Sequence, residues 1–199
     1  MRVLMQLRSD WEKIGGGDAE QMRETASALR ALGVEVVTDS NVGAPYREFD
    51  VVHLFNTTRI NETWQQFQAA RSAGRPVVVS TIWHSMAEMR RYYTSQYRVP
   101  WFPVWWYSGL REAFYARRSG FRLDPRSVMQ YRTCQRWVAS QADALLPNSE
   151  AEYQILEAEL GVQARQVRVI PNGFNVAMAR QAGAYAGERR GIICAGRIE

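Results

Sequence analysis

Three consecutive glycines, Gly15, Gly16 and Gly17, are followed at once by Asp18. Glycine lets a backbone pass close to a ligand and offer it N–H groups. A helix beginning there adds the positive end of its dipole. That arrangement suits a diphosphate; it also suits a tight turn, and these residues alone leave both readings open. The dinucleotide signature G-x-G-x-x-G is not met, because Glu20 stands where its last glycine belongs. A P-loop is excluded, since no Gly-Lys-Ser/Thr follows. His84 comes after the apolar run 75–82, at the strand end where ligands of open α/β sheets lie. An imidazole there can orient a hydroxyl or carry a proton. His53, inside the apolar run 50–55, reads as a hydrogen-bonded core histidine. Asn148 and Ser149, before a helix, are first of all a cap, and Pro171, Asn172 and Gly173 are a turn signal. Cys134 and Cys194 form no CxxC pair and have no metal-ligand spacing, and a reduced, cytoplasmic setting is the default expectation.

These residues need elements to hold them. The short apolar runs 2–7, 34–38, 50–55, 75–82, 143–149 and 166–173 read as buried strands. Between them, Met22, Ala26, Leu29 and Leu32 recur at helical spacing, with Asp18 as N-cap, Gln21 in the capping-box position and Gly33 closing the helix. Residues 61–74 form an amphipathic helix closed by Gly74, and 127–142 read as one helix. Another spans 149–161, with Ser149 as cap and Glu152 in the box position. Strand and helix alternate, which predicts an α/β fold: a Rossmann-like, doubly wound parallel sheet with helices on both faces.

The chain has 199 residues, 46% hydrophobic and 23% charged, with net charge +5. That is an ordinary globular composition. Lys13 is the single lysine among the 25 basic residues. Arginine grips phosphates and carboxylates with a bidentate fork, which keeps anionic ligands in view. No apolar run is long enough to span a bilayer, and the N-terminus is too soon broken by charge for a signal peptide. Residues 86–126 break the alternation. Trp101, Phe102, Trp105, Trp106 and Tyr107 cluster there, and eight arginines lie between Arg90 and Arg126 against Glu112 and Asp124. One reading buries the aromatics under an insertion and leaves the arginines solvated. Another sets the segment against an anionic membrane surface as a peripheral contact. Nucleic acid is not expected, since no recognised module accompanies the pattern.

Taken in order, "GGGDAEQMRETASALRALGVEVV", "DVVHLF", "LLPNSEAEYQIL", "VRVIPNGFN" and "ICAGRIE" resemble the N-terminal half of a glycosyltransferase of family 4 (glycosyl transferase group 1), with the GT-B fold. The resemblance implies two Rossmann-like domains facing a cleft, the first binding the acceptor and the second most of a nucleotide-sugar donor. It divides the chain into an acceptor-side domain at 1–174, with its insertion at 86–126, a linker at 175–190, and the first strand of a donor-binding domain at 191–199. By itself such a chain would transfer no sugar. The resemblance further implies retention of anomeric configuration, no metal or other cofactor, a sugar or lipid-linked acceptor, and a place in the cytoplasm at the inner face of the membrane. Gly15, Gly16 and Gly17 would meet the donor diphosphate, and Arg197 would stabilise it as it leaves. His84 would be catalytic, near the transferred sugar. Asp18, Gln21, Asn56, Asn148, Ser149 and Asn172 would lie beside the cleft as ligand contacts. Phe55 departs from the family, which often has a second histidine there. Two rivals stand: a Rossmann-type NAD enzyme, with Asp39 as the ribose-binding acid, and a non-catalytic membrane- or glycan-binding module.

Overall fold

Strand β1 (Arg2–Gln6) opens the chain, followed by one short turn of helix, α1 (Trp11–Ile14), and the long α2 (Gly17–Ala31). Then come β2 (Glu35–Thr38), β3 (Val51–Phe55), α3 (Ile60–Ser72) and β4 (Val77–Ser80). Helices α4 (Met86–Tyr97), α5 (Val104–Arg118), α6 (Pro125–Met129) and α7 (Tyr131–Gln141) precede β5 (Ala144–Leu145) and α8 (Glu150–Leu160). The computed structural model describes residues 1–97, 104–118, 120–122, 124–173 and 180. Trp101, Phe102, the linker 175–190 apart from Arg180, the strand 191–199 and Arg197 lie outside them.

The sheet is all-parallel, in the order β2-β1-β3-β4-β5. Its inner strands β1, β3 and β4 are buried almost throughout, as a sheet covered on both faces requires. Alternation along each strand sends side chains to two separate cores. Leu4, Val52, Leu54, Val77 and Val79 meet Ile60, Phe67 and Ala70 of α3, with Val138 of α7 and Leu156 of α8. Val3, Met5 and Phe55 meet Ala19, Met22 and Ala26 of α2 on the other face. The chain winds outward from β1 to β2 and in the opposite direction from β3 to β5. The reversal between β1 and β3 leaves a crevice at the carboxyl ends of the strands.

Several elements differ from their sequence reading. Helix α2 is capped by the backbone of Gly16, with no side-chain cap bond, so Asp18 and Gln21 form no capping box. Both side chains are drawn instead to partners distant in sequence. The expected helix at 127–142 is two, broken at Gln130 (φ −118°, ψ 41°). Asp124 caps the first, accepting from Arg126 N, and also takes the indole N–H of Trp64 at 2.8 Å. The strand at 143–149 contracts to Ala144–Leu145, and 166–173 contracts to a single bridge, Val167 to Leu145. Both helix ends predicted from glycine hold. Gly33 and Gly74 adopt φ of +80° and +70°, and Val34 N and Arg75 N reach back to Leu29 O and Ala70 O, the Schellman pattern.

Helix α5 docks on α3 through small residues. A Cβ at Gly109 would stand 2.8 Å from Val128 O, so only glycine permits this approach to α6. Ala113 and Ala116 are buried, whereas Phe114 is 60% exposed, with Tyr107, Leu110 and Tyr115 also outward. Of the five clustered aromatics only Tyr107 has a described side chain, and it is exposed.

Candidate functional site

At the carboxyl ends of β1, β3 and β4 lies a cleft of about 480 Å³. Its walls include Gly15, Gly16, Gly17, Asp18, Gln21, Asn56, His84, Asn148 and Asn172, joined by Arg8, Arg59, Ile14 and Ile82. Residues up to 164 positions apart in sequence thus share one cavity (Arg8 to Asn172). Ser149 is not among them. Its hydroxyl accepts from Glu152 N at 3.0 Å and caps α8, the structural role first read for it.

The glycine loop is held by Arg8. Its guanidinium donates to Gly15 O, to Asp18 at 2.9 Å and to Asp10 at 2.6 Å. Gly15 (φ +66°, ψ −158°) and Gly16 (φ +126°, ψ 169°) occupy backbone regions open essentially to glycine alone. A Cβ on Gly16 would also meet Asp18 Oδ1 at 2.9 Å and Arg8 Nη2 at 3.1 Å. The backbone N–H groups of Gly17 and Asp18, in the first turn of α2, have no acceptor among the described residues. Burial of Asp18 opposes its ionisation, but hydrogen bonds and charge from Arg8, aided by Asn56 and Ala19 N, hold its carboxyl below the usual value. Burial likewise acts against the Arg8 cation, and Asp18 and Asp10 outweigh it. The pair is therefore ionised and matched in charge.

The other walls are equally fixed. Asn56 ends β3 at φ +72°, and Ile82 follows β4 at φ +44°. Left-handed backbone at a β-branched residue is strained, and such strain gathers at functional sites. The Asn56 amide is held at both ends: Oδ1 takes Thr58 N at 2.9 Å and Nδ2 donates to Asp18 at 3.2 Å. His84 is exposed at the cleft, between two anchored neighbours. Trp83 N donates to Glu152 Oε1 at 2.8 Å, and Ser85 Oγ donates to Glu159. Glu152 also accepts from Thr81 Oγ1 and from Asn148 N, the latter at 2.7 Å. Its carboxylate therefore ties the β4 and β5 loops together and does not close a capping box on Ser149. Gln21 Nε2 donates to Asn148 Oδ1 at 2.8 Å, linking α2 to the same loop. His53 is buried away from the cleft, 2.9 Å from Ser80 Oγ, and burial depresses its pKa to about 3. It is the neutral core histidine expected.

A sheet of this topology with such a cleft hosts many chemistries, and comparison with known families decides among them. A family model described as "Glycosyl transferase 4-like domain" matches residues 16–173. The chain belongs to that family. No curated protein matches it. The matched stretch of this glycosyltransferase-family domain runs from the glycine loop to the turn at Asn172–Gly173, so it carries nearly all of the cleft.

Asp39 does not line the cleft of this glycosyltransferase domain; it accepts from Asn41 N at 2.8 Å, which leaves the NAD reading without its ribose-binding acid. Arg8 and Arg59 were missed in the sequence. Arg8 directly follows an apolar run and Arg59 precedes a helix, so each reads locally as a solvated charge. Only their distant carboxylate partners mark them. No helix among the described residues is long and apolar enough to cross a membrane.

Proposed function

We propose that the domain is the acceptor-side half of a nucleotide-sugar-dependent glycosyltransferase that retains anomeric configuration and uses no metal. What supports this most is the single cleft that gathers Gly15–Gly17, Gln21, His84, Asn148 and Asn172 at the switch point of the sheet. In this reading the donor diphosphate approaches the glycine loop. The unpaired N–H groups of Gly17 and Asp18 and the positive end of α2 meet the charge that develops on the leaving group. Because Arg8 and Asp18 cancel each other, the loop acts through backbone dipoles rather than through a net cation. His84, exposed at the cleft, places the transferred sugar or the acceptor hydroxyl. Arg197, together with a donor-binding domain, completes the diphosphate site, so transfer needs both halves.

The test follows the backbone amides of Gly15, Gly16 and Gly17 by ¹⁵N NMR during titration with UDP and GDP. Shifts confined to the loop and to Asn172, and abolished by Gly16→Val, are expected. Saturable shifts elsewhere, with the loop unmoved, would overturn the reading.

A further inference from the structure

A second cavity, of about 630 Å³, lies on the other side of the loop that leaves β1. Its walls come from that loop (Ser9), from the loop after β2 (Ser40–Gly43), from α3 (Gln65) and from Gly120–Arg122 just beyond α5. Arg8 faces the first cleft and Ser9 lines this one, so residues 8 and 9 form the partition between them.

The chemistry of the two cavities differs. In the first, Arg8 and Arg59 are bonded to Asp10 and Asp18. In the second, no carboxylate stands among the lining residues, and the one cation, Arg122, has no carboxylate partner among the described residues. Glu62 lies close by but is engaged beneath the wall, accepting Ser9 N at 2.5 Å and Ser9 Oγ at 3.2 Å. Asp39 is held by Asn41 N. The remaining walls are neutral and polar. Gln65 steadies the arginine's backbone, donating to Arg122 O at 2.9 Å, and its own carbonyl oxygen has no partner among the described residues. Asn41 braces the loop through Gly43 N at 2.8 Å and keeps its NH₂ donors. Phe121 supplies one buried ring. Hydroxyls, amides, one aromatic face and one unmatched guanidinium together suit a polyhydroxylated molecule bearing an anion.

We propose that this second cleft binds an anionic polyol, a sugar phosphate or a phosphopolyol headgroup, with its anion on Arg122 and its hydroxyls on Ser9, Asn41 and Gln65. That this ligand is the acceptor rests on the glycosyltransferase reading; its binding does not. The headgroup can come from solution or from a lipid. Helix α5 ends at Arg118, two residues before Gly120. Its outward face carries Leu110, Phe114 and Tyr115 beside Arg117 and Arg118, the pairing that seats a helix on an anionic bilayer.

The experiment titrates the ¹⁵N-labelled chain with glucose 6-phosphate and, separately, with glucose. Shifts at the amides of Asn41, Gly43, Gly120 and Arg122, with glucose at least tenfold weaker, are expected. Arg122→Gln weakens glucose 6-phosphate at least tenfold, while Arg122→Lys keeps most of the affinity. Equal binding of glucose, an unaffected Arg122→Gln, or shifts confined to Gly15–Gly17 would overturn the proposal. Flotation with phosphatidylglycerol against phosphatidylcholine vesicles separates the sources. Flotation specific to phosphatidylglycerol that is lost in both Phe114→Asp and Arg122→Gln assigns the headgroup to a lipid. Its absence, with glucose 6-phosphate still bound, assigns it to solution. Failure of UDP to move Gly15–Gly17 would remove the word acceptor and leave the site standing.

Discussion

The two clefts flanking the loop after β1 are built on opposite electrostatic plans. In the glycine-loop cleft every charge is matched before a ligand arrives: Arg8 on Asp10 and Asp18, Arg59 on Asp10. In the second, Arg122 stands without a carboxylate partner among the described residues. A buried pair fixes geometry and adds little net field, because desolvation offsets most of the attraction. An unmatched surface cation does the reverse: it leaves the local fold unconstrained and attracts anions. One cleft is thus organised for shape and backbone dipoles, and the other for charge.

The sharpest way to break this comparison is to neutralise each arginine. Arg8→Met leaves Asp18 buried without its partner and should cost roughly 3–5 kcal/mol in urea unfolding. Arg122→Gln should stay within about 0.5 kcal/mol of the parent. Similar losses for both would show that the second cleft is also held by charge.

A smaller effect tests how the clefts are joined. Glu112 on α5 is buried, and burial pushes its carboxyl up to about 8 against the opposing influence of Tyr131, Arg59 and Arg111. Tyr131 Oη stands 2.6 Å from Glu112 Oε1 and also bonds Thr58 O, beside the first cleft. A phenol has one proton, so it serves both acceptors only if Glu112 keeps its own. The unfolded chain sheds that proton near pH 4.5 and the folded chain near 8. The folded state therefore binds more protons across this window, and its contribution is full below pH 4.5 and declines as pH rises to 8. Glu112→Gln should flatten that decline and raise stability at pH 8 by roughly 2–4 kcal/mol, read from unfolding midpoints between pH 5 and 9. An unchanged slope would mean that the carboxyl is hydrated.

The smallest expected change is at Ser149. Loss of the cap in Ser149→Ala should cost about 1 kcal/mol and leave UDP and glucose 6-phosphate titrations unaltered. A change in either titration would return Ser149 to the site.

Much of the site was legible because its residues sit where local rules place them. Glycines before a helix, a histidine past a strand end and asparagines at turns are marked by neighbours within a few positions. Gly15–Gly17, His84, Asn148 and Asn172 were found that way, and the structure brings them into one cleft. Their companions were not legible for the same reason. Arg8 finds Asp18 ten residues on, and Glu152 finds Thr81 across 71. Such partners leave no periodic signal.

The sequence by itself determined the alternation of strand and helix, the parallel α/β class and the helix ends at Gly33 and Gly74, since hydrophobic period and backbone freedom act within one turn or strand. Only the tertiary structure decided what the polar side chains do. Asp18, Gln21 and Glu152 each suited a local cap, yet each went to a distant partner. A bond made to a buried, fixed group is stronger than one made to a fraying helix end in water.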